Sequence, residues 1–334
     1  MISKETDTKE LTVFNNRILL FAPYFGQLPD HFPLWLKSCQ YNPTIDWVLF
    51  VDKPPAVALP DNVRIIETRL EDFRDIISKK LDMSVAIRDA YKLCDFKPTY
   101  GFVFEDLLKG YSYWGHCDID LIFGDIRKFI TDEILHTHDK ILFCGHLTIY
   151  RNTPSVNKLF MYQNGHVNYK EVFADPECRF FDEHGGMDVI AHLAQIKQYS
   201  NIIFADISHK YNKLTLTELH NHKHQVFYWE NGEVFREYLD DRYESLRHDS
   251  FAYIHFQKRK MKLHSNALDA ASFFITPNGF EVKKTAVMTK EDFSKYNNKR
   301  LMLFDLYYYN LNRAKSKIKR MLTQSAYRRV GKNE

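Results

Sequence analysis

Residues 111–127 read YSYWGHCDIDLIFGDIR, an aromatic and apolar run with Asp118-Ile119-Asp120 at its centre. The run has strand character, and an extended strand sends every second side chain to the same face. Asp118 and Asp120 are therefore expected to point together at the edge of a sheet. Two carboxylates held that close repel one another, and a hard divalent cation relieves the repulsion. Such a cation keeps positions open for a diphosphate. A bare D-x-D is common by chance. Here it follows one apolar strand and precedes another apolar stretch, Leu121-Ile122-Phe123-Gly124, and that context raises its weight.

Working outward, residues 18–23 (ILLFAP) form a short apolar run stopped by Pro23 and Gly26, which fits a buried strand. A second run, Trp47-Val48-Leu49-Phe50-Val51, closes on Asp52 ahead of Pro54-Pro55. A third, Val63-Arg64-Ile65-Ile66, leads into a helix marked by Leu70, Phe73, Ile77 and Leu81 at helical spacing. After the acidic pair comes Ile141-Leu142-Phe143-Cys144. Strands alternating with helical segments predict an α/β fold with a mainly parallel sheet flanked by helices and ligands at its carboxyl edge. Asp52 and the Asp118/Asp120 pair would both lie at that edge.

The second half changes character. Residues 225–238 (QVFYWENGEVFREY) place Asn231-Gly232 between two aromatic runs, a hairpin signal. Residues 274–282 repeat the theme around Pro277-Asn278-Gly279, and SFAYIHFQKRKMK between them reads as one more strand. A smaller antiparallel part is expected. No Gly/Ser- or Pro-rich linker interrupts the chain, so residues 17–285 read as one catalytic unit, after a polar segment 1–16 and before a basic helical tail 286–334.

At 334 residues, 45% hydrophobic and 15% aromatic, the chain has ample material for a core, which excludes a disordered protein. The net charge of +3 excludes a nucleic-acid-type polycation. No apolar run reaches about 20 residues, so no membrane-spanning helix is expected. The first residues, MISKETDTKELTVFNN, lack the apolar stretch of a signal peptide. Cys39, Cys94, Cys117, Cys144 and Cys178 include no C-x-x-C pair and read as reduced, mostly buried thiols of a cytoplasmic protein.

A metal held by Asp118 and Asp120 needs another ligand, and His255 in Tyr253–Lys260 is the candidate. Two carboxylates and an imidazole suit Mn²⁺ (or Mg²⁺) better than Ca²⁺. Lys258, Arg259 and Lys260 would then sit where an anionic leaving group needs neutralising. The plain structural alternative is a hydrogen-bonded core histidine beside a solvated basic strand end. Glu183-His184-Gly185-Gly186-Met187-Asp188 puts paired glycines ahead of a helix. Asp188 is either a group close to a ligand or an ordinary acid in a helix's first turn. His146, after the strand 141–144, either lines the acceptor side or is a buried structural histidine. In residues 311–334, Leu311, Ala314, Ile318, Met321 and Leu322 share one helical face among basic residues. That pattern fits an anionic membrane surface or a helix packed on its own domain.

The order of apolar strand, D-x-D and a late H-x-x-K (His255 to Lys258) resembles the GT-A glycosyltransferases, closest to their retaining, family-8-like branch. The phrases Pro23-Tyr24-Phe25-Gly26, Leu34-Trp35-Leu36-Lys37-Ser38-Cys39, Tyr91-Lys92-Leu93-Cys94-Asp95-Phe96-Lys97-Pro98 and Trp114-Gly115-His116-Cys117-Asp118-Ile119-Asp120 also resemble bacterial proteins of polysaccharide and lipopolysaccharide biosynthesis. The resemblance implies a GT-A-like, Rossmann-type sheet over about residues 17–260. It implies nucleotide contacts from Ala22, Pro23, Tyr24 and Asp52, phosphate or donor-sugar contacts from Lys92 and Asp95, metal binding by Asp118, Asp120 and His255, and a diphosphate contact from Lys258. The chain departs from the family-8 pattern in lacking an H-x-x-G-x-x-K-P-W ending.

The expected function is transfer of a hexose from a nucleotide-diphosphate sugar, UDP-hexose first, to a glycan or lipid-linked glycan acceptor of a bacterial surface. Asp120 and Asp188 are the candidate catalytic groups. Because the clearest assets stand on the leaving-group side, retention of anomeric configuration is expected. The expected location is the cytoplasm, with the tail at the inner face of the cell membrane. A metal-dependent nucleotidyltransferase or phosphohydrolase, or a non-catalytic scaffold of glycan assembly, remain alternative readings.

Overall fold

A computed structural model describes residues 16–163, 167–240, 242, 245–257, 259–264, 266–284 and 290–296. The strands of the first part are β1 (Ile18–Tyr24), β2 (Ile45–Val51), β3 (Val63–Glu67), β4 (Tyr113–Cys117), β5 (Leu121–Phe123), β6 (Lys140–Cys144), β7 (Leu147–Arg151) and β8 (Gln198–Tyr199). Those that follow are β9 (Ala205–Asp206), β10 (Gln225–Glu230), β11 (Glu233–Leu239), β12 (Leu246–Phe251), β13 (Tyr253–His255), β14 (Ser272–Thr276) and β15 (Gly279–Val282). The described chain divides into two compact units.

The first unit is made of Met1–Leu28, Pro43–Asp118 and Ile130–Asn201. Its sheet has the order β3-β2-β1-β4-β7-β6-β8. Pairing is parallel except at β7, which runs against β4 and β6. This is the mainly parallel α/β architecture that the sequence predicts. Leu19, Phe21, Val48 and Phe50 turn one face of the sheet onto Phe73 and Ile77 of helix Leu70–Leu81, with Phe96, Tyr100 and Ile190 in the same cluster. Burying each such side chain contributes about 2 kcal/mol. Because β1, β2 and β4 are parallel, Tyr24 at the end of β1 lies at the same carboxyl edge as Asp52 and Asp118, which follow β2 and β4.

The second unit joins Pro29–Asn42, Ile119–Phe129 and Ile202–Glu334. It holds the antiparallel sheet β12-β11-β10-β14-β15 and a three-stranded sheet β5-β13-β9. The β10–β11 hairpin turns at Asn231 and Gly232, both with positive φ (48° and 92°), as an Asn-Gly turn demands. Helix Phe32–Gln40 packs Leu34 into this unit's core and sets Trp35 against Phe123 with ring centroids 5.9 Å apart.

Four expectations change. Asp118 and Asp120 are not alternate residues of one strand, because β4 ends at Cys117 and β5 begins at Leu121. The acids occupy the bend between them, where buried Ile119 anchors the turn (3% exposed). The expected single unit 17–285 is divided in two, and the division falls between Asp118 and Ile119. Each unit is assembled from separated segments, so no linker composition could announce the boundary. Cys94 and Cys178, expected as free thiols, form a disulfide, whereas Cys39, Cys117 and Cys144 are free. The run 250–262 is two strands, β12 and β13, rather than one. The tail 311–334, Lys258 and most of the segment 1–16 lie outside the described residues. Among the described residues no helix is long and apolar enough to cross a membrane.

Candidate active site

In the first unit, Asp118 follows β4 and its backbone N–H donates to the carbonyl of His146 at 3.0 Å. Its Oδ1 accepts from the Lys97 Nζ at 2.7 Å, and the same ammonium donates to the Gly145 carbonyl at 2.8 Å. A third partner, Asp182 Oδ2, stands 3.4 Å away. Burial disfavours the charge on Lys97, but Asp118 and Asp182 outweigh it and raise its pKa. Asp182 is almost fully buried, and burial pushes its carboxyl up to about 7, against the pull of Lys97. A Cβ added at Gly145 would meet Asp182 Oδ2 at 2.3 Å, so only glycine lets the β6–β7 turn come this close.

Neither Lys97 nor Asp182 carries a sequence signal of this role, and the expected phosphate or donor-sugar contacts, Lys92 and Asp95, take a different place. Lys92 and Asp95 are 1% and 0% exposed and paired at 2.6 Å. Lys92 Nζ also donates to the carbonyls of Val172 and Glu177, and Asp95 accepts from the backbone N–H groups of Arg179 and Phe181. Their polar atoms are spent inside the unit, which leaves them no surface for a nucleotide.

Ala22 is fully buried within β1, followed by the half-buried Pro23 and Tyr24. The Tyr24 hydroxyl donates to the Gln27 carbonyl at 3.1 Å. Asp52 Oδ1 accepts from the Gly26 N–H at 2.7 Å, closing the turn after β1, where Gly26 has φ 111°. Asp188 lies in the first turn of helix Met187–Leu193. Its Oδ1 accepts from the buried Lys140 Nζ at 2.8 Å, and its Oδ2 is 3.0 Å from His184 Nδ1. Both carboxylate oxygens therefore have partners. A Cβ on Gly186 would strike the Phe181 carbonyl at 2.1 Å, which explains the second glycine of the pair. His146 is buried, 6% exposed.

In the second unit, Asp120 precedes β5 and His255 ends β13, and the β5–β13 pairing brings the two together. His255 Nε2 is 3.5 Å from Asp120 Oδ1. Its Nδ1 is 2.7 Å from Asp206 Oδ1, on β9 at the other side of β13. Gln257 donates to both oxygens of Asp206 at 3.0 and 2.8 Å. Burial opposes protonation of His255, yet Asp120 and Asp206 hold its pKa up to about 10. This cluster thus stabilises a positive charge between two carboxylates, as a cation site must. With its Nδ1–H fixed on Asp206, a neutral His255 would aim the Nε2 lone pair at Asp120, the arrangement of a carboxylate-oriented metal ligand. The oxygen and nitrogen donors fit Mn²⁺. Arg259 turns elsewhere, donating to the carbonyls of Ser208, Tyr211, Asn212 and Lys213.

No curated protein matches this sequence. Among solved structures, similarity extends to the galactosyltransferase LgtC in complex with donor and acceptor sugar analogues, at 11% identity and TM-score 0.33, over 57% of this chain and 75% of that one. The glycosyltransferase GlyE of Streptococcus pneumoniae TIGR4 matches at 12% identity and TM-score 0.29, over 56% of this chain and 45% of that one. Mouse xyloside xylosyltransferase 1 matches at 8% identity and TM-score 0.31, over 58% and 88%. Superpositions this loose describe partial likeness and carry no activity across. The family model is more extensive, matching residues 20–284, and on that match the chain belongs to the family of unknown function DUF6625.

Proposed function

We propose that this protein is a metal-dependent glycosyltransferase that moves a hexose from a nucleotide-diphosphate donor, UDP-hexose first, onto a glycan acceptor of a bacterial surface. The observation that carries the reading is the Asp120–His255–Asp206 chain, with separations of 3.5 and 2.7 Å, beside a D-x-D bend. Asp120 and His255 would hold the metal. The other expected ligand, Asp118, belongs to the first unit and is held there by Lys97. Bound Mn²⁺ would supply positive charge for the diphosphate leaving group. Asp206 fixes the orientation and tautomer of His255. Lys97, anchored on Gly145 and Asp182, fixes the rotamer of Asp118 and keeps a cation at the carboxyl edge of the parallel sheet. Preorganised charge of this kind lowers a barrier because no reorganisation is needed when the leaving group becomes anionic.

We further propose that transfer retains configuration. An inverting enzyme needs a free carboxylate to take the acceptor proton. Asp188, a candidate for that task, has one oxygen on Lys140 and the other on His184. Following the reaction by proton NMR tests both parts of the proposal. The donor's anomeric signal should decay and a product of the same anomeric configuration should grow. A product of opposite configuration would overturn retention, and an unconsumed donor would overturn transfer.

The basic tail is proposed as a contact with an anionic bilayer at the inner membrane face. A chain ending at residue 310 should lose sedimentation with anionic vesicles at low salt, where screening is least. Undiminished binding by the shortened chain would remove this assignment.

A further inference from the structure

The loop 175–186 displays a side chain that folding alone does not call for. Phe180 is 48% exposed and has φ 55°. The left-handed region is costly for a bulky residue, and a surface loop commonly places glycine or asparagine there. The next residue, Phe181, is 1% exposed and packs edge-on against Phe173. The chain thus turns one phenylalanine inward and its neighbour out to solvent.

The surroundings enforce that geometry from both sides. Asp95 accepts hydrogen bonds from the N–H groups of Arg179 and Phe181, the two residues that flank Phe180. Lys92 locks Asp95 from below and holds the Glu177 carbonyl, and Cys178 is tied to Cys94. A buried ion pair, two backbone hydrogen bonds and a disulfide converge on one strained residue. Strain held this firmly recurs at ligand sites.

The exposed ring is not solitary. Tyr91, 55% exposed at the start of the segment Ala90–Thr99, meets it edge to face, with centroids 6.3 Å apart at 83°. Beside the rings, the exposed Arg179 pairs with the partly buried Asp175. Two aromatic rings with a charged, hydrogen-bonding border suit a ligand whose faces are C–H and whose rim is hydroxyl. A pyranose ring has that chemistry. A partner helix or an acyl chain would need a broader apolar area than two rings offer.

We propose that Tyr91 and Phe180 form a stacking platform for a sugar ring of the acceptor glycan, with Lys92, Asp95 and the Cys94–Cys178 disulfide as its supports. The identification of the sugar as acceptor rests on the glycosyltransferase reading; the binding of a sugar ring does not.

The test is saturation-transfer NMR on the full chain with methyl β-galactoside, methyl α-glucoside and lactose as probes. Phe180→Gly suits the backbone conformation, so it should melt within about 3 °C of the parent protein. It should lower saturation of the sugar C–H protons at least about fivefold, the effect of losing one aromatic contact. Tyr91→Ala should lower it as well. In the same variants, release of UDP from donor without acceptor should be unchanged, while the acceptor KM rises by a similar factor. Equal saturation in parent and Phe180→Gly would overturn the platform, as would absence of saturation with all three probes. A large loss of stability in Phe180→Gly would instead make the ring a structural plug and overturn it too. Sugar binding without any UDP release would sink the transferase reading and leave the platform standing.

Discussion

Replacing Asp120 by alanine is expected to lower sugar transfer by about 10³-fold or more while the protein keeps its fold. The carboxylate is one of two donors that the second unit brings together, 3.5 Å from His255 Nε2, and the side chain is 30% exposed. Several kcal/mol of leaving-group stabilisation depend on it, and each 1.36 kcal/mol is tenfold in rate. The cost to folding is small by comparison, because alanine retains the hydrogen bond from the Phe256 N–H to the backbone carbonyl and Asp206 still pairs the His255 imidazole. Asp206→Asn should act more mildly, by about 10- to 100-fold, since it orients His255 rather than donating to a metal. Melting curves and initial rates check both variants. An Asp120→Ala protein that transfers sugar at near the parent rate would remove the metal-site account.

The second large effect is on stability. Asp95→Ala should destabilise the protein by about 4 kcal/mol, the range found when one partner of a buried ion pair is removed. The alanine would leave the Lys92 ammonium, 1% exposed, with only the carbonyls of Val172 and Glu177. It would also strand the N–H groups of Arg179 and Phe181. Lys92→Met combined with Asp95→Leu should cost less than Asp95→Ala alone, because no charge is then left buried. Urea unfolding midpoints at an unchanged slope read the difference. If Asp95→Ala unfolds like the parent yet loses affinity for UDP, the pair contacts nucleotide, as the resemblance implies, and is not a structural brace.

The contrast between Lys92 and Lys97 shows where sequence reasoning stopped. Both lie in one phrase, Tyr91 to Pro98. The segment Ala90–Thr99 is a 3₁₀ helix, whose side chains superimpose every third residue. That repeat puts Lys92 and Asp95 on the inward face together and sends Lys97 to another, toward Asp118. Helical and strand periods also put the two lysines on different faces, but neither says which of those faces turns inward. Asp206 was invisible for a different reason. It sits on a two-residue strand, β9, and owes its role to pairing with β13, about fifty positions away in the chain. The Cys94–Cys178 bridge closes 84 residues, and no spacing motif announces such a pair.

What was legible rests on local physics. The runs 18–23, 47–51 and 63–66 are apolar, short and bounded by breakers, and each is a strand of the parallel sheet. Leu70, Phe73, Ile77 and Leu81 mark a real helix because one face must meet the sheet. Asn231-Gly232 turns the hairpin because both residues accept positive φ. The setting of Asp118 and Asp120 marks them in the sequence as candidates, and a bend rather than an extended strand presents them.

The central claim is turnover of a sugar nucleotide by a divalent-metal site. Its most direct test is the rate of UDP release from a panel of UDP-hexoses, with Mn²⁺ or with chelator, for the parent protein and for Asp120→Ala. The account predicts release above background from at least one donor in Mn²⁺, abolished by the chelator and by the substitution. Release from no donor, or release indifferent to both metal and Asp120, would contradict it.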